Sequence, residues 1–202
     1  MSSVRMTTYR VVLLGMVLGV LLTPTAASAQ EVALTLGRVF GDDVLEAVNS
    51  GPGLGFGDAG IYGARVGLGA ILVQAEGAIL YSPTDLFVDT PGQIGSSITY
   101  AEVALAFKII PGPVGPFIAG GIGHHRVSFD LADANTYTTV GYNFGAGVKL
   151  GLGSVGARID VRDHITPLKV DKIDPDVLPL IGLDADKTVH NFEVSVGLVL
   201  SF

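Results

Sequence analysis

The last stretch of the chain constrains it most: Phe192, Val194, Val196, Leu198, Leu200 and Phe202 alternate with Asn191, Glu193, Ser195, Gly197 and Ser201. A period of two belongs to an extended strand whose faces meet different surroundings, because successive side chains point to opposite sides. The same alternation starts at Glu31, with Val32, Leu34 and Leu36 on one face and Glu31, Ala33, Thr35 and Gly37 on the other. Between these ends it predicts strands over 60–69, 72–82, 97–110, 116–130, 137–151 and through 157–162, which with 31–40 and 188–202 makes eight.

Assigning the apolar set to the outside turns Tyr62, Ala64, Val66 and Leu68 outward and Arg65 inward. It likewise turns Gln74 and Glu76 inward, then Glu102 and Lys108, then Asn143 and Lys149, then Arg158, Asp160 and Arg162. In the fifth strand the reading sends Phe117, Val127 and Phe129 outward and His124, Arg126 and Ser128 inward, which keeps polar side chains in the interior. Mean hydropathy is +0.54, yet charged or polar residues interrupt every long apolar stretch after the first thirty residues. A chain that is apolar outside and polar inside satisfies its backbone in lipid only as a closed barrel. The expected fold is therefore all-β: an eight-stranded antiparallel up-and-down transmembrane β-barrel over 30–202. A soluble lipocalin-like barrel is the inverse arrangement, with the apolar face inside.

A cleaved signal peptide over 1–29 is expected to precede it. Arg5 and Arg10 open a basic start, Val11 to Leu22 is apolar, and Ala27 and Ala29 are the small residues that a signal peptidase reads. The chain carries −7, and removing those two arginines makes the remainder more acidic. That balance excludes a phosphate-binding surface, so no nucleic acid is expected as a partner. With no cysteine there is neither disulfide nor thiolate. Many of the 28 glycines fall at inward positions, where backbone has to pass large neighbours. Connections over 41–59, 82–96, 131–136 and 163–187 are expected to be long, and those near 70, 111–115 and 152–154 short, the asymmetry of a barrel with long loops outside.

The segments Pro116-Phe117-Ile118-Ala119-Gly120-Gly121-Ile122-Gly123, Gly141 to Val148 and Gly156 to Asp163 resemble the outer-membrane β-barrel domain family, the small porin-like group that includes the OmpA-type transmembrane domain. The resemblance covers the region after the leader as a pattern and implies an outer-membrane location. Leu198, Leu200 and Phe202 resemble the C-terminal signal of this class, which barrel-assembly machinery reads. Expected partners are that machinery, outer-membrane lipid and lipopolysaccharide, with the chain a monomer.

The inward charges are Arg65, Lys108, Lys149, Arg158 and Arg162 against Glu76, Glu102, Asp160 and Glu193. Near balance favours mutual pairing that closes the interior over a single-sign lining for ions, and eight strands enclose only enough space for side chains. His124, His125, Arg126 and Ser128 invite comparison with lipid A deacylases of this architecture, which use His, Ser and Glu. The following strand holds no Glu, and the His–Ser spacing departs from that pattern. Acids of the long connections, Asp42, Asp43, Glu46 and Asp58, then Asp163, Asp171, Asp174, Asp176, Asp184 and Asp186, match no EF-hand spacing. They read as an acidic surface, bridged through divalent cations to lipopolysaccharide phosphates. An apolar run from Val177 to Leu183, with Phe56, Phe87 and Val88, is expected to pack on the rim or meet a partner. No catalytic residue, cofactor or dedicated metal site is expected. The resulting expectation is a structural or surface-interaction barrel with acidic loops and a lumen plugged by ion pairs. A small channel or hydrophobic-solute conduit is the alternative, and a surface lipid A-modifying hydrolase a more remote one.

Overall fold

The computed structural model describes residues 29–41, 55–69, 72–88, 92–110, 114–130, 136–172 and 186–202. Residues 1–28, with Ala27 of the expected signal peptide, and the greater part of the first and last long connections lie outside them, while Ala29 opens the first strand. Eight long strands follow in order: β1 (Ala29–Phe40), β2 (Ala59–Gly69), β3 (Val73–Val88), β4 (Gly92–Lys108), β5 (Val114–Phe129), β6 (Thr136–Leu152), β7 (Val155–Leu168) and β8 (Lys187–Ser201). A two-residue segment, Gly55–Phe56, adds to the far end of β3. Each strand pairs antiparallel with its neighbours in sequence, and β1 pairs with β8 from Glu31↔Ser201 to Phe40↔Phe192, so the sheet closes. A closed barrel has no edge strand and leaves no row of backbone donors unpaired in lipid.

The start of β1, the end of β8 and the β2–β3, β4–β5 and β6–β7 turns lie at one end, here called the turn end. Gly153 in the β6–β7 turn has φ of 74°, a left-handed conformation that glycine adopts without a Cβ penalty. The other four connections share the opposite, loop end. No helix among the described residues is long and apolar enough to cross a membrane; the strands are what cross.

Every strand presents large apolar side chains outward. Leu34, Tyr62, Ile79, Val103, Ile122, Phe144, Ile159 and Val196, one per strand, are between 41% and 66% exposed. An apolar band that runs round the whole circumference is far larger than the patches soluble monomers carry, and is the lipid-facing belt of a membrane barrel. The inverse, lipocalin-like arrangement is thereby excluded.

Three expectations are corrected. The segment 82–96 is not a long loop: β3 and β4 run on as a paired ladder to Val88↔Gly92. Alternation explains it, since Ser82, Thr84, Ser96 and Ile98 are all buried at the inward parity. Side chains tie the extension down, with the Ser96 hydroxyl donating to the Thr84 carbonyl at 3.1 Å and the Thr84 hydroxyl to the Gly57 carbonyl at 2.8 Å. Nor does the last connection start at 163; β7 continues to Leu168 because His164, Thr166 and Leu168 extend the buried parity of Arg158, Asp160 and Arg162. Asp163, expected in a loop, is a strand residue held by His190 Nδ1 at 2.7 Å.

The third correction is the parity of β5, which is inverted. Phe117, Ala119, His125, Val127 and Phe129 are buried inside, while Ile118, Ile122, His124 and Arg126 face out. Phe117 fits inside because two cations cover its ring, Lys149 Nζ at 5.4 Å and the Arg158 guanidinium at 5.2 Å from the centroid, an arrangement favoured by the ring quadrupole. The slot for the ring exists because Gly147 on β6 has no Cβ; one placed there would overlap the Phe117 edge. A register step of one residue moves every side chain of a strand to the other face, so the reversal concerns the whole of β5.

Candidate functional site

Within the barrel the buried side chains form a column whose chemistry changes along the axis. At the turn end Lys149 Nζ bonds both Glu31 Oε1 and Gln74 Oε1 above the Phe117 ring. Next comes the densest part. Glu76 accepts from Arg158 Nη1 at 2.6 Å and from Arg162 Nη2 at 2.5 Å, with Arg65 Nη1 at 3.4 Å. Asp160 is gripped by Arg158, through Nε at 2.7 Å and Nη2 at 2.6 Å, and by Arg162, through Nε at 3.2 Å and Nη2 at 3.1 Å. Alternation on β7 puts Arg158, Asp160 and Arg162 on one face, so a carboxylate lies between two guanidinium groups.

Glu193 on β8 carries the column onward. Arg65 Nη2 donates to both of its oxygens at 2.8 Å, and the Ser195 hydroxyl also donates to it. Its Oε2 lies 2.7 Å from His164 Nε2, while His164 Nδ1 lies 2.9 Å from Glu102 Oε1. The same Glu102 oxygen is 2.9 Å from His125 Nε2, and His125 Nδ1 is 2.7 Å from Thr166 Oγ1. Tyr100 packs against both imidazoles, with ring centroids 4.9 Å from His125 and 4.4 Å from His164. Beyond this level, toward the loop end, the interior turns apolar: Ile61, Leu80, Ile98, Val127, Phe129, Leu168 and Val189 are buried. Tyr137 closes it, donating to the Pro167 carbonyl and accepting from the Lys169 amide, each at 3.0 Å.

Of the charged residues that parity turns inward, Arg65, Glu76, Glu102, Lys149, Arg158, Asp160, Arg162 and Glu193 meet in this column. Lys108 does not join it. It is half-buried at the last position of β4, where the strand leaves the barrel, and no ion pair forms to it among the described residues. Glu31, inward by parity but absent from the expected charge set, takes its place. The balance therefore reverses: the fixed cations Arg65, Lys149, Arg158 and Arg162 face the carboxylates Glu31, Glu76, Glu102, Asp160 and Glu193. The described interior thus holds one more carboxylate than fixed cation, with His125 and His164 beside Glu102. His164 was legible from the parity of Arg158, Asp160 and Arg162 carried two residues on; His125 was hidden by the inverted β5.

Removing these ions from water costs several kcal/mol each before pairing. The chelated geometry offsets that cost: both oxygens of Glu193 and one oxygen each of Glu76, Glu102 and Asp160 accept from more than one donor. Some buried polar atoms have no hydrogen-bond partner, among them Arg65 Nε, Glu102 Oε2 and the Asn143 amide; the last two belong to the histidine level, where Asn143 pairs with His164 in the β6–β7 ladder. Glu102, His125 and His164 each also offer one ligand atom within 4.8 Å of the others.

The arrangement gives no support to acyl hydrolysis. His125 lies inside and Ser128 is at the outward parity, so this pair stands on opposite faces; His124 shares the outward face but lies four residues along the extended strand from Ser128, too far for the contact that such chemistry needs. Among the acids of the long connections, Asp58 reaches Arg38 at 3.7 Å on the surface and Asp171 sits exposed in a 3-10 turn. The acids at 42, 43, 46, 174, 176 and 184 and the apolar run 177–183 lie outside the described residues. Leu198, Leu200 and Phe202 face outward at the turn end.

No protein-family model matches the sequence, and no curated protein matches it. Solved structures do match the fold. The crystal structure of Neisserial surface protein A aligns with a TM-score of 0.54 at 14% identity, covering 87% of this chain and 97% of that one. The solid-state NMR structure of outer membrane protein AlkL in DMPC lipid bilayers aligns with a TM-score of 0.51, again at 14% identity, covering 89% and 93%. With its lipid-facing belt and closed eight-stranded sheet, the chain has the fold of the small outer-membrane β-barrels.

Proposed function

We propose that this chain is a non-conducting outer-membrane barrel that serves as a rigid mount, holding its long, acid-rich connections at the cell surface for contact with lipopolysaccharide and other surface partners. The observation that carries the reading is the ion-pair column from Glu31 to His125, in which Arg65, Glu76, Arg158, Asp160, Arg162, His164 and Glu193 are each at most 2% exposed. Ion paths are lined by groups that meet water and bind weakly enough to release an ion. Here guanidinium groups and carboxylates bind each other, and the level above them is closed by apolar side chains with only the hydroxyls of Ser82, Thr84 and Ser96 among them. The leader over 1–29 supports export, and the belt supports residence in the outer membrane.

Planar-bilayer recording of the purified chain tests the mount against a channel. No single-channel steps are expected from the folded protein, identified by its heat-dependent gel mobility. Reproducible steps that vanish on heat denaturation would contradict the proposal.

A further inference from the structure

We propose that Glu102, His125 and His164 form a buried binding site for a divalent transition-metal cation of the zinc type. Glu102 Oε1 lies 2.9 Å from both His125 Nε2 and His164 Nδ1. The nitrogens on the far sides of the two rings are engaged elsewhere, His125 Nδ1 with the Thr166 hydroxyl at 2.7 Å and His164 Nε2 with Glu193 Oε2 at 2.7 Å. A carboxylate only accepts, so His164 donates its Nε2 proton to Glu193; Thr166 Oγ1 accepts equally well from His125 Nδ1. In that tautomer pair both nitrogens facing Glu102 carry lone pairs. In that state three acceptors converge, an arrangement that a cation bridges; in the metal-free chain a ring nitrogen 2.9 Å from Glu102 Oε1 donates to it instead, because a carboxylate only accepts.

The surroundings match what metal-binding imidazoles have. A ligating histidine ordinarily donates its other N–H to a carboxylate, a carbonyl or another acceptor that fixes the ring, and here Glu193 and Thr166 hold those positions. Two imidazoles and a carboxylate are borderline donors suited to zinc and its neighbours rather than to calcium or magnesium. Bond lengths of ~2.0–2.2 Å in a tetrahedron separate ligand atoms by about 3.4 Å, so each nitrogen has to move away from Glu102 Oε1 by about half an ångström, while all three ligand atoms already lie within 4.8 Å of one another. Glu102 Oε2, buried without a partner, is placed to complete the carboxylate's contact with the ion. Space for the cluster comes from glycine: a Cβ on Gly141 would overlap the His125 ring, and one on Gly123 would lie 2.7 Å from Glu102 Cγ. The interior also holds more carboxylates than fixed cations, which favours positive charge at this level. The alternative that the same geometry allows is protons alone, with His164 an imidazolium between Glu102 and Glu193.

The test uses the full folded chain in detergent, loaded with Zn²⁺ or Co²⁺ and passed through a desalting column. One tightly held ion per chain is expected, with Co²⁺ giving the visible d–d bands of a low-coordinate nitrogen and oxygen site. Thr166→Val, which removes only the hydroxyl behind His125, should weaken affinity about tenfold or more while the heat-dependent gel mobility stays intact. His164→Gln should abolish the Co²⁺ bands. His124→Gln and His190→Gln, which alter the two histidines outside the column, should leave binding unchanged. Failure of the folded chain to retain either ion overturns the site, as does binding that is lost in the His124 or His190 variant but survives Thr166→Val. Because conductance is read separately, a failed metal site leaves the non-conducting reading standing.

Discussion

The two halves of the barrel interior obey the same parity rule and contain opposite chemistry. Toward the turn end, inward positions hold Arg65, Glu76, Arg158, Asp160, Arg162 and Glu193, chelating one another. Toward the loop end they hold Ile61, Leu80, Ile98, Val127, Phe129 and Val189. Glu102, His125 and His164 are the seam between them. Period two therefore says that a strand has two faces and says nothing of which is polar at a given height. The charged half is held by directional bonds whose loss strands a neighbouring charge, the apolar half by packing whose loss leaves a cavity.

Breaking the charged half should have the largest effect. Glu76→Ala removes the one acceptor that Arg158, Arg162 and Arg65 have in common, leaving three guanidinium groups to Asp160 and Glu193, and should destabilise the folded barrel by about 3–5 kcal/mol, the cost of an uncompensated buried charge. Urea unfolding in detergent micelles, followed by gel mobility, reads this directly. Leu80→Ala in the apolar half should cost about 2–5 kcal/mol through its cavity. Ionic strength should alter neither cost much, since buried pairs are poorly screened. A Glu76→Ala variant as stable as the parent would end the distinction between the halves. A third substitution uses the lipid face: Ile122→Lys should cost about 2–4 kcal/mol, the cost of a lysine facing lipid near the bilayer midplane. The smallest effect belongs to Arg126→Ala. Its guanidinium is exposed and, among the described residues, reaches only the Thr136 hydroxyl at 3.4 Å, so stability should change by no more than about 0.5 kcal/mol.

Arg126 and Arg162 show how far the sequence could be read. On β7, Arg158, Asp160 and Arg162 alternate with Ala157, Ile159 and Val161, and the correct face follows from the charges. On β5 the polar residues His124, Arg126 and Ser128 share a parity with Ile118 and Ile122, whereas His125 shares one with Phe117 and Phe129, so both faces are mixed. Assuming a uniformly polar interior then selects the wrong one. Phe117 belongs inside because of Lys149, Arg158 and the slot at Gly147, all on other strands and invisible to any window on β5. The ladder past Ser82 was obscured for a different reason. Pro83 and the glycines at 92 and 95 carry turn signals, yet Pro83 faces outward and pairs with Ser97 without breaking the alternation.

The most direct test of this account is the orientation of β5, because the column, the histidine level and the covered Phe117 ring all depend on it. Single cysteines at Phe117, Ile118, Ala119, Ile122, Val127 and Ser128, spin-labelled in reconstituted vesicles, can be scanned for collision with oxygen, which concentrates in lipid. The account predicts high oxygen accessibility at 118 and 122 and low accessibility at 117, 119 and 127, with 128 following the outward set toward the rim. The opposite phase, with 117 and 127 open to lipid and 118 and 122 shielded, would contradict it.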